Sequence, residues 1–342
     1  DSLAGIGTVD TLFFSLSEPR RELNIELADQ ILTPIEDELN YSAIYTFTES
    51  DLDGWVSFSL SMVDSAGNAS NTITTTQDGS QVRFDGTPPS LSFRTFFSNN
   101  NLDTTLCIVG DSLFLQYTSP ETLRTANITI ANNLPNETSF IYGKYQAIYI
   151  MTGSEAEGFI PFSISGLEDW VGNRGETVNT TSNNSSVLFD MTPPTNFTLG
   201  EVTSRDGIEI SGFWNSSNQT LDLIVPISND ETLPNGGIQI QSSFGGSFSN
   251  LADTILIEEI DLGTNKTISI TDIDFESVND FIEDGNANFQ ALVWDKAGNT
   301  TIGDISSSTI HIDEMLPTLE LVSQRTNNSI ADSLAKVGDT DT

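Results

Sequence analysis

Three aspartates stand at one spacing before a Gly-Asn pair. They are Asp64 in Val63-Asp64-Ser65-Ala66-Gly67-Asn68, Asp169 in Glu168-Asp169-Trp170-Val171-Gly172-Asn173, and Asp295 in Trp294-Asp295-Lys296-Ala297-Gly298-Asn299. Glycine supplies a left-handed backbone position, and Asp and Asn side chains bond nearby backbone, so the run is first of all a turn. Its carboxylate and amide oxygens are also what a hard cation takes, in sets of about six to eight with backbone and water oxygens.

The other reactive residue types point away from catalysis. His311 is the one histidine and Cys107 the one cysteine, and they are too far apart in sequence to suggest a joint site. Ile310-His311-Ile312 alternates, which predicts the imidazole on the outer face of a strand. Leu106-Cys107-Ile108 predicts a buried thiol, and a lone cysteine forms no disulfide within the chain. Zinc sites built on His and Cys are excluded by count. No phosphate loop or dinucleotide-binding glycine run is present. We therefore expect no enzyme and no organic cofactor. Of the four tryptophans, Trp55 and Trp294 fall in expected strands and read as core. Trp170 and Trp214 fall in expected turns and read as exposed contacts.

Lys and Arg number 12 against 49 Asp and Glu, for a formal charge of -37 over 342 residues. Nucleic acid and anionic membrane both bind through Lys and Arg, so both are excluded as partners. No apolar run is long enough to span a bilayer. Asn-x-Ser/Thr sequons fall at Asn40, Asn68, Asn127, Asn136, Asn179, Asn183, Asn184, Asn196, Asn215, Asn218, Asn265, Asn299 and Asn327. They are about twice as many as this composition gives by chance, which favours a secreted chain carrying N-glycans.

The turn recurs because the chain is a repeat. After each copy comes a seam: Phe84-Asp85-Gly86-Thr87-Pro88-Pro89, Phe189-Asp190-Met191-Thr192-Pro193-Pro194, and Ile312-Asp313-Glu314-Met315-Leu316-Pro317. Proline cannot donate to a strand ladder, so each seam ends one sheet and starts the next segment extended. Residues 332–342 repeat 1–11, and Val337-Gly338-Asp339 echoes Val109-Gly110-Asp111. The second unit shows apolar or alternating runs at 90–97, 112–118, 127–131, 139–142, 145–151, 159–165 and 186–190. Seven short strands per unit predict an all-β chain of tandem immunoglobulin-like sandwiches. The expected domains are 1–86 (lacking a first strand), 87–191, 192–314 with insertions, and 315–342 as the start of a fourth. Residues 276–284 are compatible with one helical turn, although a loop suits the all-β context better.

A penultimate strand ending Asp-x-x-Gly-Asn, followed by a last strand ending Phe-Asp-x-Thr-Pro-Pro, resembles the tandem bacterial Ig-like domains of large extracellular adhesins and surface filament proteins. The third unit departs from that pattern at Leu316. The resemblance implies Ca2+ at domain junctions and a role as a stiff extender. On such a sandwich the first junction would gather Asp10 and Asp85 with Asp169 and Asn173. The second would gather Asp111 and Asp190 with Asp295 and Asn299. The expected function is a spacer, adhesin stalk or fibre subunit at the cell surface, with copies of itself or neighbouring repeats as partners. Strands 90–97 and 195–202 are the expected polymerisation edges. A carbohydrate- or ligand-binding surface module and a cell-wall or S-layer lattice protein remain the alternatives.

Overall fold

Where apolar and polar residues alternate, the chain forms strands, because that period puts one face on a core and the other in solvent. The computed structural model describes residues 2–271, 273, 275–320, 322–325, 327, 334, 336, 337 and 340. Among them lie 28 strands and two 3-10 turns, Glu259–Asp261 and Phe275–Ser277. The chain divides into two compact units, Asp1–Met191 and Thr192–Thr342. Both are all-β, and their strand orders are those of tandem immunoglobulin-like sandwiches.

The first sandwich contains β1 (Ser2–Ala4), β2 (Val9–Ser15), β3 (Arg20–Leu27), β4 (Gln30–Ile31), β5 (Ile35–Asp37), β6 (Asn40–Thr46), β7 (Gly54–Trp55), β8 (Phe58–Asp64) and β9 (Val82–Phe84). Strands β2-β6-β5 form one sheet, β4-β3-β8 another, and β1-β9-β7 a third. Its central cluster is small: Ala4, Phe47 and Phe84, with the two rings stacked at 4.7 Å.

The second sandwich follows with β10 (Phe93–Ser98), β11 (Leu106–Cys107), β12 (Ser112–Thr118), β13 (Thr125–Ile130), β14 (Glu137–Ile141), β15 (Lys144–Ile150), β16 (Gly158–Phe159), β17 (Phe162–Glu168) and β18 (Leu188–Phe189). The order β10-β12-β15-β14 is the A-B-E-D sheet of an immunoglobulin domain, and β13-β17 supplies its C-F pair. Leu113, Leu115 and Tyr117 alternate inward along β12 and are closed off from solvent. Cys107 lies in the same core, as expected.

Unit two adds β19 (Val202–Arg205), β20 (Phe213–Trp214), β21 (Thr220–Pro226), β22 (Gly237–Ser243), β23 (Ser249–Asn250), β24 (Ile255–Leu256), β25 (Asn265–Thr271), β26 (Gly285–Trp294), β27 (Thr300–Ile302) and β28 (Ile310–Ile312). Strands β19-β21-β25 form one sheet, and β20-β28-β26-β22-β23 lie in the other. The additional length of this unit holds β23, β24 and both 3-10 turns. A loop is the better fit expected for 276–284, and the structure instead starts that segment with the short 3-10 turn Phe275–Ser277.

A single device closes each sandwich. A very short strand runs parallel to the last one: β1 on β9, β11 on β18, β20 on β28. The seam aspartate extends each pair by donating its N–H to the short strand's last carbonyl. Asp85 reaches Ala4 at 2.9 Å, Asp190 reaches Cys107 at 3.0 Å, and Asp313 reaches Trp214 at 2.9 Å.

Several expectations shift. Trp55 is exposed rather than core, because Gly54–Trp55 pairs with β9 as a separate short strand and the penultimate strand begins only at Phe58. Gly158–Phe159 does the same on β18. Trp214 is buried rather than exposed, since its turn is the short strand β20, and its Nε1 donates to Glu314 at 2.8 Å. Trp294 is half-buried. The first strand of unit two is β19, at the end of the expected 195–202 run. Thirteen of the 28 residues of the expected fourth domain, 315–342, lie outside the described residues, among them seven of the eleven in the 332–342 repeat.

Leu115 should carry more stability than its counterpart Leu12, which is half-buried. We expect Leu115→Ala to cost about 3 kcal/mol and Leu12→Ala clearly less. Denaturant unfolding of the two variants measures the difference. Equal costs would mean the two sandwiches are equally closed.

Candidate functional site

The Asp-x-x-Gly-Asn run is a carboxylate-capped turn in all three places. Asp169 Oδ1 accepts the backbone N–H groups of Val171, Gly172 and Asn173 at 2.9, 2.7 and 2.9 Å. Its Oδ2 accepts the Asn173 side-chain amide at 2.8 Å. Asp295 repeats this with Ala297, Gly298, Asn299 and the Asn299 amide, at 2.8–3.0 Å. Asp64 bonds the Ala66 and Asn68 amides and the Asn68 side chain. The glycines stand at φ +92, +98 and +99, which a side chain tolerates poorly.

The second turn reaches back to the first seam. The Asn173 amide also donates to the Asp85 carbonyl at 2.9 Å. There one carboxylate oxygen each of Asp85, Glu121 and Asp169 lie within 4.8 Å of one another. Trp170, Val171, Thr122, Leu3 and Arg83 line the same cleft. Ca2+ holds oxygens at about 2.3–2.6 Å, so two ligands across the ion stand about 5 Å apart. The triad therefore has the donor chemistry and spacing for that ion. Asp169 Oδ1 is saturated by amides, which leaves Oδ2 as its ligand atom.

Asp85, Asp169 and Asn173 lie together, and Asp10 does not join them. Asp10 sits on β2 opposite Tyr45, with its carboxyl pushed up by burial. The residue that matches Asp111 is Thr8: Thr8 Oγ1 accepts the Gly5 N–H at 3.1 Å, as Asp111 Oδ2 accepts the Ile108 N–H at 2.9 Å. Asp111 also takes the Asn100 amide at 3.0 Å, so its carboxylate caps its own turn. Asp190 sits at the end of unit one, beside Cys107. Asp295 and Asn299 bond each other in unit two.

Glu121 was missed by sequence reasoning. It lies in the loop between β12 and β13, which in this topology shares an end with the loop after β17. The run Glu121-Thr122-Leu123 recurs as Glu231-Thr232-Leu233, and that repeat was the available signal. In unit two the Lys296 N–H donates to the Thr232 carbonyl at 2.9 Å, tying the same two loops together.

Burial and the neighbouring Asp85, Asp169 and Asp53 charges push the Glu121 carboxyl up. Asp53 is anchored across the seam, accepting from the Gly86 N–H at 2.6 Å and from the Thr87 hydroxyl. These hydrogen bonds hold its carboxyl below the usual range.

His311 stands between two buried isoleucines and faces outward, with its nitrogens at 3.0 Å from Asn286 and 2.9 Å from Asp284. The Cys107 thiol is pushed up to about 12 by burial. Trp170 is exposed, as expected. Ten of the sequon asparagines are exposed, Asn215 and Asn299 are half-buried, and Asn218 is buried. Asn68 and Asn299 use their side-chain nitrogen inside the turn, which a glycan would displace. Among the described residues no helix is long and apolar enough to cross a membrane.

No family model matches the chain, and no curated protein matches it. Solved structures do. Titin domains A168–A170 align over 91% of this chain and 95% of theirs, at 8% identity and a TM-score of 0.35. A 1.5-MDa bacterial ice-binding adhesin, studied for its retention on the host cell surface, aligns over 92% and 94%, at 14% identity and 0.47. A Ca2+-stabilised adhesin with which an Antarctic bacterium reaches out and binds ice aligns over 95% and 74%, at 14% identity and 0.39. At such scores the fold assignment here stands on this chain's own strand order.

Asp169→Ala removes the acceptor of three backbone amides and a side-chain amide. We expect it to cost about 2 kcal/mol or more, since the donors are left unpaired. Glu121→Gln should stabilise the chain at neutral pH without divalent cations. A carboxyl raised in the folded state contributes stability below its unfolded value of 4.5, and that contribution is lost as pH rises through the folded value. The variant should lack that loss above pH 4.5, as thermal unfolding across pH will measure.

Proposed function

We propose that this chain is a stiff spacer or stalk segment of an extracellular surface or filament protein, with Ca2+ held at the seam between its first two sandwiches. The proposed domains are 1–86, 87–191, 192–314 and 315–342. The observation that carries the reading is the first seam. One turn, capped by Asp169, bonds the preceding strand end through Asn173 and presents its carboxylate beside Asp85 and Glu121. Three acids at that separation repel one another, and a divalent cation would turn the repulsion into a clamp. The Pro88-Pro89 pair leaves the linker little freedom of its own.

The acidic surface suits an extended, soluble array, and the exposed sequons suit N-glycans. Asn218, being buried, and Asn68 and Asn299, whose side-chain nitrogens hold the turn aspartates, drop out of that set. A ligand-binding surface module is the second reading. It rests on Trp170, which is 65% exposed and lines the acidic cleft, so a sugar could stack there.

Calorimetric titration with CaCl2 tests the clamp. We expect saturable uptake with a dissociation constant of about 0.1–1 mM, and a melting temperature that rises with the metal. Glu121→Gln should weaken uptake at least several-fold. No uptake at millimolar metal would sink the calcium reading. Electron microscopy of the full-length protein then separates a fibre or stalk from a two-dimensional lattice.

A further inference from the structure

Unit two carries an apolar cleft beside its first residues. It encloses about 260 Å3 and is lined by Pro194, Phe197, Pro226, Ile227, Leu233 and Val293. Asn196, Thr195 and Ser228 line it too. Sites for drug-sized ligands hold about 300–1,000 Å3, so this cleft has room for one ring and not for a chain of them.

The second sandwich differs at this place. Counted from the paired prolines, Leu91 follows Pro89 as Asn196 follows Pro194. Leu91 is buried in one core with Leu123 and Leu167. Counted from the Glu-Thr-Leu run and from the capping aspartate, their counterparts in unit two are Leu233 and Val293, and both line the cleft. An asparagine therefore stands where the second core has a leucine, and it is exposed.

That asparagine opens the sequon Asn196-Phe197-Thr198, which lies outside any strand. The run is fixed on both sides. The Thr301 hydroxyl donates to the Pro194 carbonyl at 2.5 Å. The Asp304 N–H donates to the Phe197 carbonyl at 2.9 Å, and the Leu199 N–H to the Asp304 carbonyl at 3.2 Å. Gly303 lies so close to the Phe197 ring that a Cβ there would overlap it. An aromatic ring is thus held one residue from the amide that a glycan would use.

We propose that the first sugar of an N-glycan on Asn196, an N-acetylglucosamine, is seated in this cleft. The inference rests on the reading of the chain as secreted and glycosylated. In the transfer, Asn196 Nδ2 attacks C1 of a polyprenyl-pyrophosphate-linked oligosaccharide. The N–C1 bond forms as the C1–O bond breaks, the pyrophosphate leaves with the electron pair, and the amide gives up a proton. The apolar face and acetyl methyl of the sugar then cover Phe197 and Pro226, and the Thr195 and Ser228 hydroxyls meet its polar groups. The covalent bond has already brought the ring to the cleft, so the contact costs little further ordering.

The full chain, secreted from cultured insect cells and trimmed to one N-acetylglucosamine per site, tests the seat. Glycopeptide mass spectrometry should find Asn196 occupied. In a methyl NMR spectrum one acetyl methyl should be shifted upfield of the others by the Phe197 ring, and Asn196→Gln should remove that signal. The trimmed chain should melt about 2–4 °C above its Asn196→Gln variant. Made in bacteria without sugar, the two should melt alike. Asn196 bare while other sequons carry sugar overturns the seat alone, as does an Asn196 acetyl methyl that is unshifted. Sugar at none of the sequons overturns the seat together with the glycan reading.

Discussion

The carboxylate-capped turn is the interaction on which the rest of this structure depends. One oxygen of Asp169 holds three consecutive amides, which fixes the turn, holds Gly172 at positive φ and aims Asn173. Only a turn fixed in that way can bring an asparagine amide to the carbonyl of the previous seam. The same cap is built on three buried aspartates, with different electrostatic outcomes. Asp64 is held below its ordinary value, chiefly by the Asn68 side-chain bond. Asp295 is fully buried, and desolvation outweighs its hydrogen bonds and raises it. The cap is therefore a geometric device first, and its electrostatics depend on the surroundings.

At the first seam the geometry creates an electrostatic problem. Asp85 stands next to the prolines, Glu121 is in one loop and Asp169 in another, and all converge because each belongs to a fixed element. Nothing in the turn itself needs Glu121. Its carboxyl is lifted by burial and by the acids around it, so the folded state works against this charge. Such frustration is common where a charge is kept for something other than stability. Arg83 lines the cleft, but one guanidinium does not offset three carboxylates and Asp53. The arrangement makes sense if a cation completes it.

Much of this was legible in the sequence, because the repeats constrain one another. Three copies of a turn and three seams locate the ends of the penultimate and last strands. Alternation locates the long strands to within a few residues. What escaped has physical reasons. Strands of two residues, such as Leu106–Cys107 and Phe213–Trp214, carry no period, and so Trp214 was read as a turn residue when it packs in the core. Trp55 fails in the other direction, since an apolar run that spans two short elements reads as one strand. Asp10 was paired with the seam by residue type, whereas the short-strand register gives that place to Thr8. Glu121 needed the end-to-end topology of the sandwich, not a motif.

The charge of the chain bears on how its edges behave. An array with a formal charge of -37 per 342 residues resists indiscriminate pairing of sheet edges, since like-charged strands must be brought within about 5 Å. The outer strand β5 carries Glu36 and Asp37, and β14 begins with Glu137. Charged residues on an edge are a recognised defence against unwanted strand addition.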